Sequence, residues 1–162
     1  TREYGEAGRS DWAVHVALTE NGVLTTGAVA MPALGVTYSS SDDRTERDAA
    51  TPVRVVVSRT RRPEPVMRMA DSMGAELIEM GSAGAKAMAV VSGEADIYAH
   101  AGGQYEWDSA APVAVAHAAG LHVSRIDGSE LRYNQENPWL PDLLICRKEH
   151  AGEVLAQVAA LT

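Results

Sequence analysis

Apolar and polar positions follow two different rhythms along this chain. From Asp11 to Leu18 the run Asp-Trp-Ala-Val-His-Val-Ala-Leu partly alternates, Asn21-Gly22 follows, and Val23 to Met31 returns. Asn-Gly tolerates positive φ at both central turn positions, so the pattern predicts a β-hairpin. Gly35 to Tyr38 adds a third short strand, completing an antiparallel meander. Residues 39–52 are Ser, Asp, Arg, Thr and Ala closed by a Pro, a polar connection that separates two units, 1–40 and 52–162.

Beyond this connection the spacing changes. Val53–Val57, Ala75–Met80, Asp96–His100, Val123–Ile126 and Leu143–Cys146 are short apolar runs of the kind found in buried strands. Pro63–Met73, Ala83–Ser92, Asp108–Ala119 and Glu149–Leu161 carry helical spacing, and Gly93 and Gly120 stand as stop signals for two of them. Strands alternating with helices predict an α/β fold with a mostly parallel five-stranded sheet covered on both faces. The meander contributes a second, antiparallel sheet.

Composition narrows the picture. The 162 residues hold no Phe and one Cys, with 46% hydrophobic and 5% aromatic residues, so Ala and Val must build most of the core. A lone Cys146 excludes an internal disulfide, and no zinc-ligand spacing is present. A reducing, cytoplasmic setting is expected. No apolar run reaches membrane-spanning length, and no membrane partner is expected. The net charge of −8 disfavours nucleic acid polymers, but a small phosphate ligand can still be held by local amides and cations.

Three stretches carry candidate chemistry. Gly81-Ser82-Ala83-Gly84-Ala85-Lys86 ends a strand and opens a helix, where free amides and the helix dipole favour an anion and Lys86 can reach back to it. Ser82 is equally suited to plain helix capping. Trp107-Asp108-Ser109-Ala110-Ala111-Pro112 places a carboxylate at a strand-to-helix junction. There Asp108 is either a ligand for a hard cation or an N-cap with Trp107 packed beneath it. Ser58-Arg59-Thr60-Arg61-Arg62 follows a strand and reads either as a phosphate contact or as a solvated basic loop. His100, just before Gly102-Gly103, is placed to line a cleft, whereas His117 on an Ala-rich helix face is expected to be packed. Neither a Walker loop nor a nucleophile elbow is present.

In their order, Gly-Ser-Ala-Gly-Ala-Lys, then Gly-Glu-Ala-Asp-Ile-Tyr, then Trp-Asp-Ser-Ala-Ala-Pro resemble the C-terminal signature of the inositol monophosphatase superfamily. The Gly-Ser-x-x-x-Lys helix and the Ser-Arg-Thr turn are most similar to its 3'(2'),5'-bisphosphate nucleotidase branch. The resemblance implies an αβαβα sandwich, a small phosphorylated substrate, Mg²⁺ as cofactor and a homodimer as one assembly. It implies hydrolysis of adenosine 3',5'-bisphosphate to AMP and phosphate by a metal-activated water, with inhibition by lithium. Carried over by motif, Asp108 is a metal ligand and catalytic, Thr1 orients the water and meets the phosphate, and Ser58, Gly81, Ser82, Lys86 and His100 bind substrate. The family's metal run, Asp-Pro-x-Asp-Gly-Thr followed by an aromatic, matches Thr1-Arg2-Glu3-Tyr4 only at its end, so its aspartates and an upstream Glu-Glu pair are expected before Thr1. Two departures, Arg61 where relatives often carry His and Ala99-His100 where they carry Pro-Arg, leave inositol phosphates and sugar bisphosphates open as substrates. With one metal ligand in hand, a non-catalytic phosphate-binding module is the alternative from another class. A plain structural domain whose motifs coincide is a third.

Overall fold

The computed structural model describes residues 2–42 and 51–159. Thr1, most of the 39–52 connection and the last two residues expected in the terminal helix lie outside the described residues. The meander forms as expected: β1 (Val14–Glu20), β2 (Val23–Met31) and β3 (Val36–Ser39) make a three-stranded antiparallel sheet in that order. Asn21 and Gly22, at φ of 53° and 79°, make the turn between the first two strands.

The second sheet contains β4 (Arg54–Ser58), β5 (Glu76–Met80), β6 (Ile97–Tyr105), β7 (His122–Ser124) and β8 (Trp139–Cys146), in the order β5-β4-β6-β8-β7. The helices are α1 (Glu64–Ser72), α2 (Ala83–Ser92), α3 (Glu106–Ala118) and α4 (Lys148–Ala159). β4 pairs in parallel with β5 and β6, but β8 runs antiparallel to both β6 and β7. The sheet is therefore mostly, not wholly, parallel. The reason lies in the connection: no helix intervenes between β7 and β8, and a return without a crossover gives an antiparallel pair.

Alternation along the strands sorts the core onto two faces. Val56, Tyr98, Leu143 and Ile145 join Met88 and Val90 of α2 and Val113 and Val115 of α3. Val55, Val57, Ile97, Ala99 and Leu144 join Val66 and Met69 of α1 and Val154 and Val158 of α4. The inner face of the meander, through Val29 and Met31, closes the first of these clusters. The layers run three-stranded sheet, α2 with α3, five-stranded sheet, α1 with α4. His117 is a correction to the expected pattern: it lies on the solvent side of the last turn of α3 and is exposed.

Small residues make the layers fit. A Cβ on Gly27 would stand 2.7 Å from both Ala111 O and Ala114 Cβ, so β2 rests directly on α3. Gly27→Ala is expected to destabilise the fold by about 1–3 kcal/mol through overpacking. Urea unfolding would register this as a lower midpoint at unchanged slope.

Candidate active site

The carboxyl ends of β4 and β5 open beside the start of α3, and a cavity of about 480 Å³ lies between them. Ser58, Gly81, Ser82, Lys86, His100 and Asp108 all line it. Every expected site residue among the described ones therefore meets in one place, although they come from the ends of β4 and β5, the middle of β6 and the starts of α2 and α3. Ligands of parallel sheets bind at this edge, beyond the carboxyl ends of the strands.

The β5–α2 turn supplies its floor. Ser82 takes φ +46°, and its Oγ accepts the Ala85 N–H at 3.4 Å. The residue thus caps α2 and lines the cavity at once, so the two readings of this motif are compatible. Lys86, one turn on, is 6% exposed and curls back to donate to Ser82 O at 3.0 Å. Its ammonium also stands 5.4 Å from the centre of the Tyr98 ring. Burial pushes the Lys86 pKa down to about 8, against the opposing pull of Glu3 and Asp11.

The β4–α1 turn is organised by Ser58, whose Oγ accepts the Arg61 N–H at 3.2 Å. The arginines divide. Arg61 lines the cavity, Arg59 pairs with Asp11 at 2.6 Å while also reaching the cavity wall, and Arg62 pairs with Glu79. The stretch is neither wholly a basic solvated loop nor wholly a phosphate clamp. Asp11 also accepts the Gly81 N–H and is held by Arg9 at 2.8 Å, tying the 2–11 segment to the floor. The Gly81 and Arg9 bonds, outweighing the loss of hydration, keep the Asp11 carboxyl below its ordinary range.

Asp108 corrects one expectation. Helix α3 begins at Glu106 with Tyr105 as its cap, so Asp108 is the third residue of the first turn rather than the N-cap. Its Oδ2 accepts the Tyr105 N–H at 3.0 Å. Trp107 is not packed beneath it but is 61% exposed, stacked on Tyr105 at 4.6 Å. From β1, His15 reaches across to place its Nδ1 3.2 Å from Trp107 O, which fixes the start of α3 against the meander.

His100 donates from Nε2 to Gly103 O at 3.0 Å. Burial, with the nearby Lys86 and Arg61 charges, lowers its pKa below the ordinary imidazole value. Its strand runs past the expected end at His100 to Tyr105 through an irregularity between Ala101 and Gln104, where Gly102 and Gly103 take φ of 110° and 80°. Such a bulge re-aims the residues that follow, and Gln104 lines the cavity. Tyr98, Gln104, Glu3 and Glu6 are lining residues that sequence reasoning missed. A Gln after two glycines carries no local signal of burial, and the acids of the 2–11 segment are neighbours only through tertiary contact.

Among the described residues no group of three or more His, Cys, Asp or Glu is close enough to hold a metal ion. Asp108 is one carboxylate, and one of its oxygens already serves the backbone. Magnesium needs several oxygen partners in near-octahedral array. The described residues alone do not make up a magnesium site.

An α/β domain brings a small-residue helix start, a buried lysine and a first-turn carboxylate to one cavity at a sheet edge. The model of the inositol monophosphatase family matches residues 1–161, and the chain belongs to that family. It is 50% identical over 168 residues to 3'-phosphoadenosine 5'-phosphate phosphatase of Mycobacterium tuberculosis, covering 98% of this chain and 63% of that protein. It is 29% identical over 142 residues to the 3'(2'),5'-bisphosphate nucleotidase CysQ of Escherichia coli, covering 80% of this chain and 57% of that protein. CysQ of Bacteroides thetaiotaomicron superposes with a TM-score of 0.67 at 27% identity, over 86% of this chain and 64% of that one. Inositol monophosphatase-II of Staphylococcus aureus, at 13% identity and a TM-score of 0.74 over 91% of this chain and 61% of that one, shares the fold. The chain thus spans less than two thirds of the curated relatives it matches.

Proposed function

We propose that the protein is a metal-dependent phosphomonoesterase that releases the 3'-phosphate of adenosine 3',5'-bisphosphate. The convergence of the Ser82 helix start, Lys86 and Asp108 on one cavity is the observation that carries this reading. Half-identity to a protein named for that activity supports it. In this reading the free end of the Asp108 carboxylate holds one magnesium. Thr1 orients the attacking water and meets the phosphate, although its placement lies outside the described residues. Magnesium, when bound, supplies charge neutralisation and an acidified water. The chain's own residues hold and orient the ester. Ser82 and the amides that open α2 take a phosphate, Lys86 and Arg61 bring positive charge to a second one, and Ser58 and Gly81 shape the turns that present them. His100, kept neutral, offers a hydrogen-bonding imidazole without adding charge.

We place the carboxylates that complete the metal site in the part of a full-length protein that this chain does not span. The 162 residues alone then act as a phosphate-binding module. Cytoplasmic action and a homodimer belong to the same proposal; among the described residues no helix is long and apolar enough to cross a membrane. The test is phosphate release by the full-length protein and by the 162-residue chain, with magnesium, on adenosine 3',5'-bisphosphate, inositol 1-phosphate and fructose 1,6-bisphosphate. Preference for the nucleotide by the full-length protein, and negligible turnover by the shorter chain, are expected. A preference for inositol 1-phosphate would overturn the nucleotidase assignment, and turnover by the shorter chain would overturn the placement of the missing ligands.

A further inference from the structure

One side chain of the meander touches both helix starts that border the cavity. His15 stands on β1, and its Nδ1 lies 3.2 Å from Trp107 O, in the first turn of α3 and next to Asp108. A carbonyl only accepts, so Nδ1 is the donor. The far edge of the same ring meets α2. A Cβ on Gly84, the second residue of that helix, would stand 2.0 Å from His15 Nε2 and 2.9 Å from its Cε1. The imidazole therefore rests on bare backbone, at a place that any larger residue would fill. Nε2 is buried with no hydrogen-bond partner among the described residues. An apolar side chain of like size would occupy the space without that unmet atom, so packing alone does not account for a histidine here. The bond to α3 does.

Each helix start gains from an outside tie. Pro112 lies inside α3 and has no N–H, so the carbonyl of Asp108, four residues earlier, lacks its helical partner. The first turn of α3 is held less firmly by its own ladder for that reason. At α2, Asp11 accepts the Gly81 N–H just ahead of the helix. The short run 11–15 thus reaches the β5–α2 turn through Asp11 and both helices through His15. Those helix starts carry opposite sides of the cavity lining, Ser82 and Lys86 on one and Asp108 on the other. Their separation decides whether one ligand can meet both. Bound groups tolerate little error in such a distance: a shift of ~1 Å made away from the chemistry can cost about a hundredfold in rate.

We propose that His15 is a positioning residue: its ring, wedged against Gly84 and bonded to Trp107 O, sets the distance between the start of α2, where a phosphate is taken, and the Asp108 carboxylate of α3. This rests on the cavity being the phosphomonoester site argued above. Three variants of the full-length protein test it. His15→Leu keeps bulk against Gly84 and removes the donor to Trp107 O. Gly84→Ala drives a methyl group into the ring. His15→Asn/Gly84→Ala pairs that methyl with a shorter side chain that still carries a donor at the Nδ1 position. Calorimetry measures the binding of inorganic phosphate with and without magnesium, and steady-state assays give kcat and KM on adenosine 3',5'-bisphosphate. Phosphate affinity without magnesium, which needs only the start of α2, stays within about twofold in His15→Leu. The factor by which magnesium tightens phosphate binding, which needs both helix starts, falls at least about fivefold in His15→Leu and in Gly84→Ala. In both, kcat falls about thirtyfold or more with KM little changed. The double variant regains at least about tenfold of the kcat that Gly84→Ala loses. A loss confined to Tm, with the magnesium factor and kcat retained, would reduce His15 to a packing residue and overturn the proposal. A double variant no better than Gly84→Ala would overturn it as well, and if Gly84→Ala does not fold, His15→Leu decides alone. If the wild type hydrolyses no ester, the phosphomonoester reading fails by itself. The magnesium factor then judges His15: its fall in His15→Leu supports the spacing role, and its persistence, or its absence from the wild type, overturns that role.

Discussion

If Asp108 holds a cation as proposed, Asp108→Asn in the full-length protein is expected to lower kcat for phosphate release by at least about a hundredfold while leaving the fold in place, because only the carboxylate charge is removed. The geometry makes the substitution informative. Asp108 Oδ2 accepts the Tyr105 N–H at 3.0 Å, and the amide oxygen of Asn can accept the same proton. Stability should therefore change by less than the roughly 1 kcal/mol that loss of a helix-end acceptor costs. Asp108→Ala removes both functions and serves as the contrast: it should be as inactive and measurably less stable. Steady-state phosphate release with thermal unfolding separates the outcomes. An Asn variant within about fivefold of wild type would reduce Asp108 to a residue that ties down the first turn of α3, the plain structural role that its position also allows.

Lys86→Met is expected to have opposite effects on binding and on stability. Lys86 is 6% exposed, and burial lowers its pKa from 10.5 to about 8. A lysine with a depressed folded pKa destabilises the native state while it is charged. That cost is fully present below about pH 8 and vanishes by about pH 10.5, because between these values the unfolded chain binds the proton and the folded one does not. Wild-type stability should then rise across that window relative to the Met variant. At neutral pH the variant should be the more stable, by at most about 3 kcal/mol, less the hydrogen bond to Ser82 O. Binding moves the other way. A second phosphate needs a cation, so KM for adenosine 3',5'-bisphosphate should rise at least about tenfold in the variant, with a much smaller change for a monophosphate. In wild type, kcat/KM for the bisphosphate should fall above about pH 8 as the ammonium deprotonates. The variant's preference for bisphosphate over monophosphate should not share that fall. An unaltered preference in the variant would remove Lys86 from substrate recognition.

The two residues differ in how far local sequence could take them. Lys86 was legible as a helix residue one turn beyond a small-residue strand end, but its burial was not, since a Lys on an Ala-rich helix reads equally as a solvated charge. What buries it is Tyr98 below and the 2–11 segment beside it, which reaches the β5–α2 turn through Asp11 and Glu3. Asp108 was legible as a junction carboxylate, yet the helix starts two residues earlier than expected, which puts Asp108 third in its first turn. Helix starts are set by which N–H groups find acceptors, and here the Tyr105 N–H found Asp108 itself.

By itself the sequence determined the α/β class, the meander with its Asn21-Gly22 turn, the alternation of strands and helices after Pro52, and the motif order that marks the family. Periodicity and turn chemistry are local properties, so they can be read without knowing what touches what. Only the tertiary structure decided that β8 reverses direction between β6 and β7, that Arg61 lines the cavity while Arg62 pairs with Glu79, and that Tyr98 and Gln104 both line that cavity. These depend on contacts between residues far apart along the chain, where burial and pairing are properties of the assembled layers and leave no periodic trace in any one segment.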